Sequence, residues 1–400
     1  MPRHVCLVTN RPWLIDGRII NHARTLAAAG FRVTIADCGR PPEWNPAWGR
    51  SPNPAAFLPC GCTVRRIEDP TRALPPRVER FVRRQLRWWL HAGRVRQLAA
   101  IGAQVYQAAD LLTARYCERV GAQSGARVVY DIRDLYSAEW NSGESHARRR
   151  AIAQEAEVMR RAAARLTVCD GLARLVAERY RLPPPQVIRS CRDPVPPSAA
   201  GPHVRSVLGL DAGTPLLVHT GHSEHGRAFD ALVAIVRGVP GAHLALVGQE
   251  PGTPALKTAL AGAEAGQCVH VLPPIPAPEV PAFIRTADAA VIYLRPVSLN
   301  MQYALPNKFF EAVAAGLPLA ISDGKEFRPL VSAYQLGVLF DPADVNAAIA
   351  AVNEVLRNRQ RYRQAAALAS EQLSWQRESG AYLRVYRDLL PVSPSAQAAG

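Results

Sequence analysis

The sequence predicts an α/β chain of two Rossmann-like, doubly wound domains. Three observations lead there. Short apolar runs alternate with amphipathic helical stretches over residues 4–180, the order that builds parallel sheets. The same alternation restarts at residue 216. Between the two series, residues 182–202 hold Pro183-Pro184-Pro185 and Pro194-Val195-Pro196-Pro197, a composition that marks a linker. The expected domains are 1–200 and 203–375. A last helix over 376–391 is expected to return to the first domain, and the small, polar tail 392–400 to be disordered.

In order, residues 4–9 read as a strand, 18–29 as an amphipathic helix ended by Gly30, and 31–36 as the next strand. Residues 40–59, rich in Pro, Trp and Gly, read as an irregular loop, 63–67 as a strand, and 77–99 as one basic helix. Short strands at 105–107 and 128–130 flank a helix at 113–122. A long helix over 148–165, a strand at 166–169, a helix at 172–180 and a strand at 186–189 complete the first domain. The second domain reads as strands at 216–220, 243–248, 269–272, 289–294 and 338–340. Helices at 228–238, 253–263, 279–286 and 345–358 lie among them, and a closing helix follows Trp375. No tandem repeat interrupts this pattern.

Lys+Arg 48 against Asp+Glu 33 gives a net charge of +15. Such a balance favours anionic partners: nucleic acid, an acidic lipid surface or phosphorylated substrates. The abundance of Ala, Arg and Pro also fits a GC-rich genome. No apolar run of about 18 residues is present, which excludes a membrane-spanning helix. The 8 cysteines are scattered. Only Cys60-Gly61-Cys62 is close-spaced, and no second pair completes a zinc pattern. Reduced thiols, and an N-terminus that enters a strand without a signal-peptide pattern, predict a cytoplasmic protein.

The segment that carries most chemistry is Ala304-Leu305-Pro306-Asn307-Lys308-Phe309-Phe310-Glu311-Ala312-Val313-Ala314-Ala315-Gly316-Leu317-Pro318. It reads as a short helix with Pro306 at its first position and a glycine at its end. Lys308 and Glu311 are three apart and share one face near the helix N-terminus. That end suits phosphate, Lys308 adds a full charge, and Glu311 offers acceptors for paired ribose hydroxyls. Taken alone, the pair reads equally as an ordinary surface ion pair.

Upstream, Arg227 follows a strand and the loop Gly221-His222-Ser223-Glu224-His225-Gly226, an arrangement that lets backbone amides and a guanidinium converge on phosphate. His219, His222 and His225 do not share a face on a strand-to-loop segment and no acidic cluster joins them, so no metal site is expected. His222 is expected to line the same pocket as Arg227. Asp16-Gly17-Arg18 reads as a phosphate-side loop or as a turn with Asp16 capping the next helix. Asp131 and Asp134 follow a strand. They read as a base or hydroxyl-orienting pair, or as a turn cap and an arginine partner.

In the basic helix, Val78, Val82, Gln85, Leu86, Trp89 and Gly93 form one stripe, and Arg80, Arg84, Arg87, His91 and Arg94 the opposite one. This reads as contact with an anionic membrane surface or a lipid-phosphate acceptor, or as a core-packing helix with a solvated basic face. No nucleic-acid-binding module surrounds it, so no nucleic acid is expected.

The chain resembles the GT-B fold glycosyltransferases, specifically the retaining family-4 type. The resemblance rests on Thr9-Asn10, Asp16-Gly17-Arg18, Ala29-Gly30-Phe31-Arg32-Val33-Thr34 and Val129-Tyr130-Asp131-Ile132-Arg133-Asp134-Leu135-Tyr136. It continues in His219-Thr220-Gly221-His222, Gly226-Arg227, Leu246-Val247-Gly248 and the 304–318 segment. It implies two domains facing a cleft and transfer of a sugar, with retention, from a nucleotide-sugar to a lipid-linked or polysaccharide-precursor acceptor. Neither cofactor nor metal is implied. Position by position, Arg227 and Lys308 look like the basic pair on the donor diphosphate, with Asn307 beside them. Glu311 looks like the ribose glutamate, the second acid of the family's Glu-x7-Glu pattern. Gly17 looks like the loop glycine on the donor side of the first domain. Asp131, Arg133 and Asp134 fall where acceptor-side residues lie, and many relatives carry a histidine at the place of Arg133. The first acid of the pattern, which in the family contacts the transferred sugar, falls at position 303, where this chain departs with Tyr303. That departure keeps two other readings open: a GT-B nucleotide-sugar epimerase and a non-catalytic nucleotide-binding relative.

Overall fold

The computed structural model describes residues 3–39, 56–74, 76–138, 146–221, 229–249, 254–261 and 265–391. Among them the chain divides into two compact units. The first runs to Ile188 and resumes at Ser379; the second runs from Arg189 to Glu378.

The first unit is a parallel sheet of β1 (His4–Thr9), β2 (Arg32–Asp37), β3 (Cys62–Arg66), β4 (Val105–Ala108), β5 (Arg127–Ile132), β6 (Ala164–Thr167) and β7 (Gln186–Val187). Their order is β3-β2-β1-β4-β5-β6-β7. The second unit's sheet holds β8 (Leu216–Thr220), β9 (His243–Val247), β10 (Val269–Leu272), β11 (Ala289–Ile292), β12 (Leu319–Ser322) and β13 (Gly337–Phe340), in the order β10-β9-β8-β11-β12-β13. β1 and β8 are central and buried along their whole length. Strands covered on both faces need continuous apolar runs, which is what their sequences supply. In each sheet the strand order reverses beside that central strand, at β1/β4 and at β8/β11, the place where such sheets bind ligands beyond the strands' C-terminal ends.

The second unit's core gathers Leu217, Phe229, Leu232, Ile235, Leu244, Leu246, Val291, Val352 and Val355. At its edge strand, a β-carbon on Gly337 would lie 1.9 Å from the Leu319 carbonyl oxygen, so β13 approaches β12 only because that residue has no side chain. In the first unit, Gln107 on β4 ties in the closing helix. Its Oε1 accepts from Tyr382 Oη (2.8 Å) and from Tyr386 Oη, and its Nε2 donates to His22 Nδ1 (2.9 Å).

Several elements differ from the sequence reading. The predicted helix 77–99 is two helices, Pro76–Gln85 and Arg87–Ala99, broken at Leu86. The predicted helix 148–165 ends at Arg161, because Ala164 already pairs with Val129 in the sheet. The helix expected over 253–263 is shorter, Pro254–Ala259. Helices Phe327–Tyr334 and Arg359–Gln372 were not foreseen, and the closing helix begins at Trp375. Residues 40–55 of the expected loop 40–59, and the tail 392–400, lie outside the described residues.

Candidate functional site

At the C-terminal end of β8, His219 and Thr220 meet the helix Asn307–Ala314. Pro306 is that helix's N-cap (φ −76°, ψ 161°) rather than its first helical residue. A proline has no side-chain acceptor for the first-turn N–H groups, which leaves this end suited to an external anion. Lys308 and Glu311 lie on the face turned to β8. Lys308 Nζ is 2.9 Å from His219 Nε2, and His219 Nδ1 is 2.8 Å from the Val291 carbonyl oxygen. A carbonyl only accepts, so Nδ1 carries the proton and the Nε2 lone pair accepts from the lysine ammonium. Burial, then the Lys308 charge, depress the His219 pKa to about 3, so the imidazole is neutral at ordinary pH.

Glu311 is buried. Its Oε2 accepts from Thr220 Oγ1 at 2.8 Å, and Arg192 Nη2 lies 3.9 Å from its Oε1. Arg192 is itself buried, its Nη1 donating to the Ser190 and Cys191 carbonyls at 3.0 and 3.2 Å. Gly221, next after Thr220, has φ 86°, and a β-carbon there would meet Lys308 Cε at 3.6 Å. Asn307 and Tyr303 are half-buried. Tyr303 closes the short helix Leu299–Gln302, and Lys325 Nζ sits 4.7 Å from its ring centroid. His222 and Arg227 lie outside the described residues. Among the described residues no three His, Cys, Asp or Glu side chains gather as metal ligands.

In the first unit, Asp16 caps the helix Gly17–Ala28, accepting from the Ile19 N–H at 3.2 Å, so Gly17 is the first helical residue and is buried. Asp131 is fully buried at the end of β5. Arg18 grips it in a fork, Nη2 to Oδ1 at 2.7 Å and Nε to Oδ2 at 2.9 Å, while Arg18 Nη1 donates to the Ile188 carbonyl. Arg133 spans two carboxylates, Nη1 to Asp16 Oδ2 at 2.6 Å and Nε to Asp131 Oδ2 at 3.2 Å. Burial alone would raise the Asp131 pKa, but the Arg18 and Arg133 charges outweigh it and hold the carboxyl well below the usual range. Such a carboxylate is a poor base and faces no solvent. Its geometry is that of a structural ion pair, and Arg133 is its second partner. Asp134 stays half-buried. It sits in a loop anchored by Glu155, which accepts from the Tyr136 and Ser137 N–H groups (2.9 and 3.1 Å) and from Tyr180 Oη (2.6 Å).

Among the described side chains of the two stripes, the basic stripe's Arg94 is inside and several apolar members are outside. Arg94 is buried, donating to Asp69 Oδ2 (2.5 Å) and Tyr116 Oη (2.7 Å). Val78, Phe81, Leu86 and Trp89 face solvent, 45–64% exposed. The side chains of Arg80, Arg84 and Arg87 lie outside the described residues.

Arg192 and Thr220 are site residues that the sequence reading missed. Thr220 stood inside the His219-Thr220-Gly221-His222 run and was a visible signal; Arg192 sits in the proline cluster, which reads only as a linker.

The fold, and one segment of the sequence, have known counterparts. Residues 215–358 match the family model described as Glycosyl transferases group 1. Comparison with curated proteins gives no match. Among solved structures, sucrose-phosphate synthase from Thermosynechococcus elongatus superposes with a TM-score of 0.71 at 17% identity, covering 98% of this chain and 100% of that one. HepE from Anabaena, solved with UDP-glucose, gives 0.68 at 12% identity over 96% and 99%. WaaG, a glycosyltransferase involved in lipopolysaccharide biosynthesis, gives 0.66 at 13% identity over 97% and 100%. The matched segment holds His219, Thr220, Lys308 and Glu311, and the chain as a whole has the GT-B fold.

Proposed function

We propose that the protein transfers a sugar, with retention and without a metal, from a nucleotide-sugar donor to a lipid-linked or polysaccharide-precursor acceptor. The observation that carries this reading is the placement of Lys308 and Glu311 on one helix face, both gripped by the end of β8. That pair fits a nucleoside diphosphate: the ammonium and helix N-terminus for the phosphates, the carboxylate for the ribose. HepE, with its bound UDP-glucose, and the group 1 family match support the same donor class. As the glycosidic bond breaks, charge grows on the leaving diphosphate. Lys308, the helix N-terminus and Arg227 would stabilise it, which lowers the barrier most where water is excluded. Asp134 is the remaining half-buried acid of the acceptor-side group.

The test is release of free nucleoside diphosphate from UDP-glucose, and from a panel of other nucleotide-sugars, with lipid-linked and glycan acceptors. Acceptor-dependent release that survives EDTA is expected. Sugar product without any acceptor would instead mean epimerisation. The observation that favours a second reading is Tyr303, packed under Lys325 where the family's first acid belongs. Nucleotide binding with no turnover on any acceptor would make the chain a non-catalytic binder.

The exposed apolar face supports an acceptor at an anionic membrane surface. Among the described residues eight large hydrophobics are exposed, and four of them are Val78, Phe81, Leu86 and Trp89. Arginines at 77, 80, 83, 84 and 87 share this segment, so apolar insertion and attraction to anionic headgroups act together. Phe81→Ser with Trp89→Ser is expected to cut flotation with anionic liposomes several-fold while leaving nucleotide affinity unchanged. Equal recovery of this variant and wild type would remove the membrane from the proposal.

A further inference from the structure

The last two residues of β8 each hold one of the two donor-site side chains, and they do so through different chemistry. Successive residues of a strand point to opposite faces. At the strand's end, where the chain leaves the sheet, both nevertheless reach the helix Asn307–Ala314. His219 takes Lys308, and Thr220 takes Glu311. We infer that His219 and Thr220 are positioning residues that set the donor site's phosphate and ribose subsites separately, His219 through Lys308 and Thr220 through Glu311. This inference rests on the donor-site reading above and names which side chains act through which.

For His219 the arrangement needs one tautomer. Its Nδ1–H is committed to the Val291 carbonyl on the neighbouring strand β11, which fixes the ring and leaves Nε2 as acceptor. An ammonium on a flexible four-carbon stem loses rotamer freedom when it binds a ligand. The buried imidazole holds that stem beside Gly221, whose left-handed backbone brings the chain close to Lys308 Cε. A protonated imidazole would repel the lysine, and burial keeps the ring neutral. For Thr220 the hydroxyl donates to one carboxylate oxygen of Glu311. It orients the carboxylate plane and leaves lone pairs on both oxygens for a diol. Neither residue supplies a charge to the ligand, so each acts only through its partner.

The experiment measures binding of UDP, GDP and ADP, of their 2′-deoxy forms and of the parent nucleosides to the full chain. His219→Asn keeps a group near Nδ1 but loses the acceptor for Lys308; His219→Gln restores an acceptor at the Nε2 position. Thr220→Val removes the hydroxyl at constant shape; Thr220→Ser restores it. His219→Asn is expected to weaken the preferred nucleoside diphosphate about tenfold and the nucleoside hardly at all, as loss of one charge-assisted hydrogen bond predicts. His219→Gln should recover most of the loss. Thr220→Val is expected to erase most of the preference for ribo- over 2′-deoxynucleotide, with Thr220→Ser recovering it. In the Lys308→Met background His219→Asn should add nothing, and in the Glu311→Gln background Thr220→Val should add nothing. Equal weakening of diphosphate, deoxy form and nucleoside, or full additivity in those backgrounds, would overturn the inference and leave the donor site standing. Unchanged binding in Lys308→Met and Glu311→Gln themselves would overturn the donor site as well.

Discussion

Asp131→Ala is expected to destabilise the first unit by about 3–5 kcal/mol, the usual cost of removing one member of a buried ion pair. The carboxylate is fully buried between Arg18 and Arg133. Its loss strands the Arg18 guanidinium, whose side chain is also buried, without the charge that compensates it. The helix Gly17–Ala28 and β5 are joined through this pair, so hydrogen-exchange protection should fall together in β1, β5 and that helix. Urea denaturation at pH 7 reads the magnitude. A double change, Arg18→Met with Asp131→Leu, should recover much of it, since it removes both charges and keeps the volume. The pH dependence follows from the direction of the Asp131 shift. Its folded pKa lies below the unfolded value, so its stabilisation is complete above about pH 4 and is lost as pH falls through the folded pKa. Asp131→Ala should therefore flatten the acid limb of the stability curve. A variant within about 0.5 kcal/mol of wild type would show that the pair contributes little.

Lys308→Met is expected to weaken nucleoside diphosphate binding by roughly 10–100-fold, from the 1.5–3 kcal/mol of a hydrogen bond to a charged group. The methionine keeps the stem's apolar length, so packing beside Gly221 survives while the charge is lost. Nucleoside binding should change little. Glu311→Gln should show the complementary profile, weakening ribonucleotides more than their 2′-deoxy forms. Isothermal titration with UDP, GDP and ADP measures both, and equal affinities for wild type and Lys308→Met would take the phosphates away from this helix. Binding should also be flat from pH 6 to 8 as far as His219 is concerned, because its pKa of about 3 keeps it neutral throughout.

The strands were the most legible part of the fold. β1 and β8 fall at the predicted residues because a parallel strand buried on both faces is a largely apolar run bounded by polar or turn residues. Helices with weak or broken patterning were not legible. Arg359–Gln372 mixes Arg, Gln and Ala around most of its surface, and Phe327–Tyr334 carries Pro329 in its first turn, where proline is tolerated but reads as a breaker. The single helix expected over 77–99 failed for a different reason. Its apolar stripe read equally as a membrane-facing or a core-packing face, and Arg94 finds Asp69 and Tyr116 inside while Trp89 stays out. Those partners come from other elements and leave no mark on local periodicity.

The same distance in sequence explains the site. Lys308 and Glu311 were legible because they lie on one helix with proline and glycine punctuation. Asp131 read equally as an acceptor-side acid or a structural residue, since a carboxylate after a buried strand looks the same in either role. What favours the structural role is Arg18, 113 positions away, and Arg133 two positions on. Thr220 lay inside a visible motif, but nothing local tied its hydroxyl to Glu311, and Arg192, an arginine among prolines, carries no signal until the helix beside it is placed.

The most direct measurement is a crystal structure of the chain with UDP, or with GDP or ADP if either binds more tightly. The expected result is a diphosphate within hydrogen-bond reach of Lys308 Nζ and the first turn of the helix Asn307–Ala314, with Glu311 accepting from the ribose hydroxyls. A nucleotide seated elsewhere, with Lys308 still engaged by His219 and Glu311 by Thr220, would contradict the donor site.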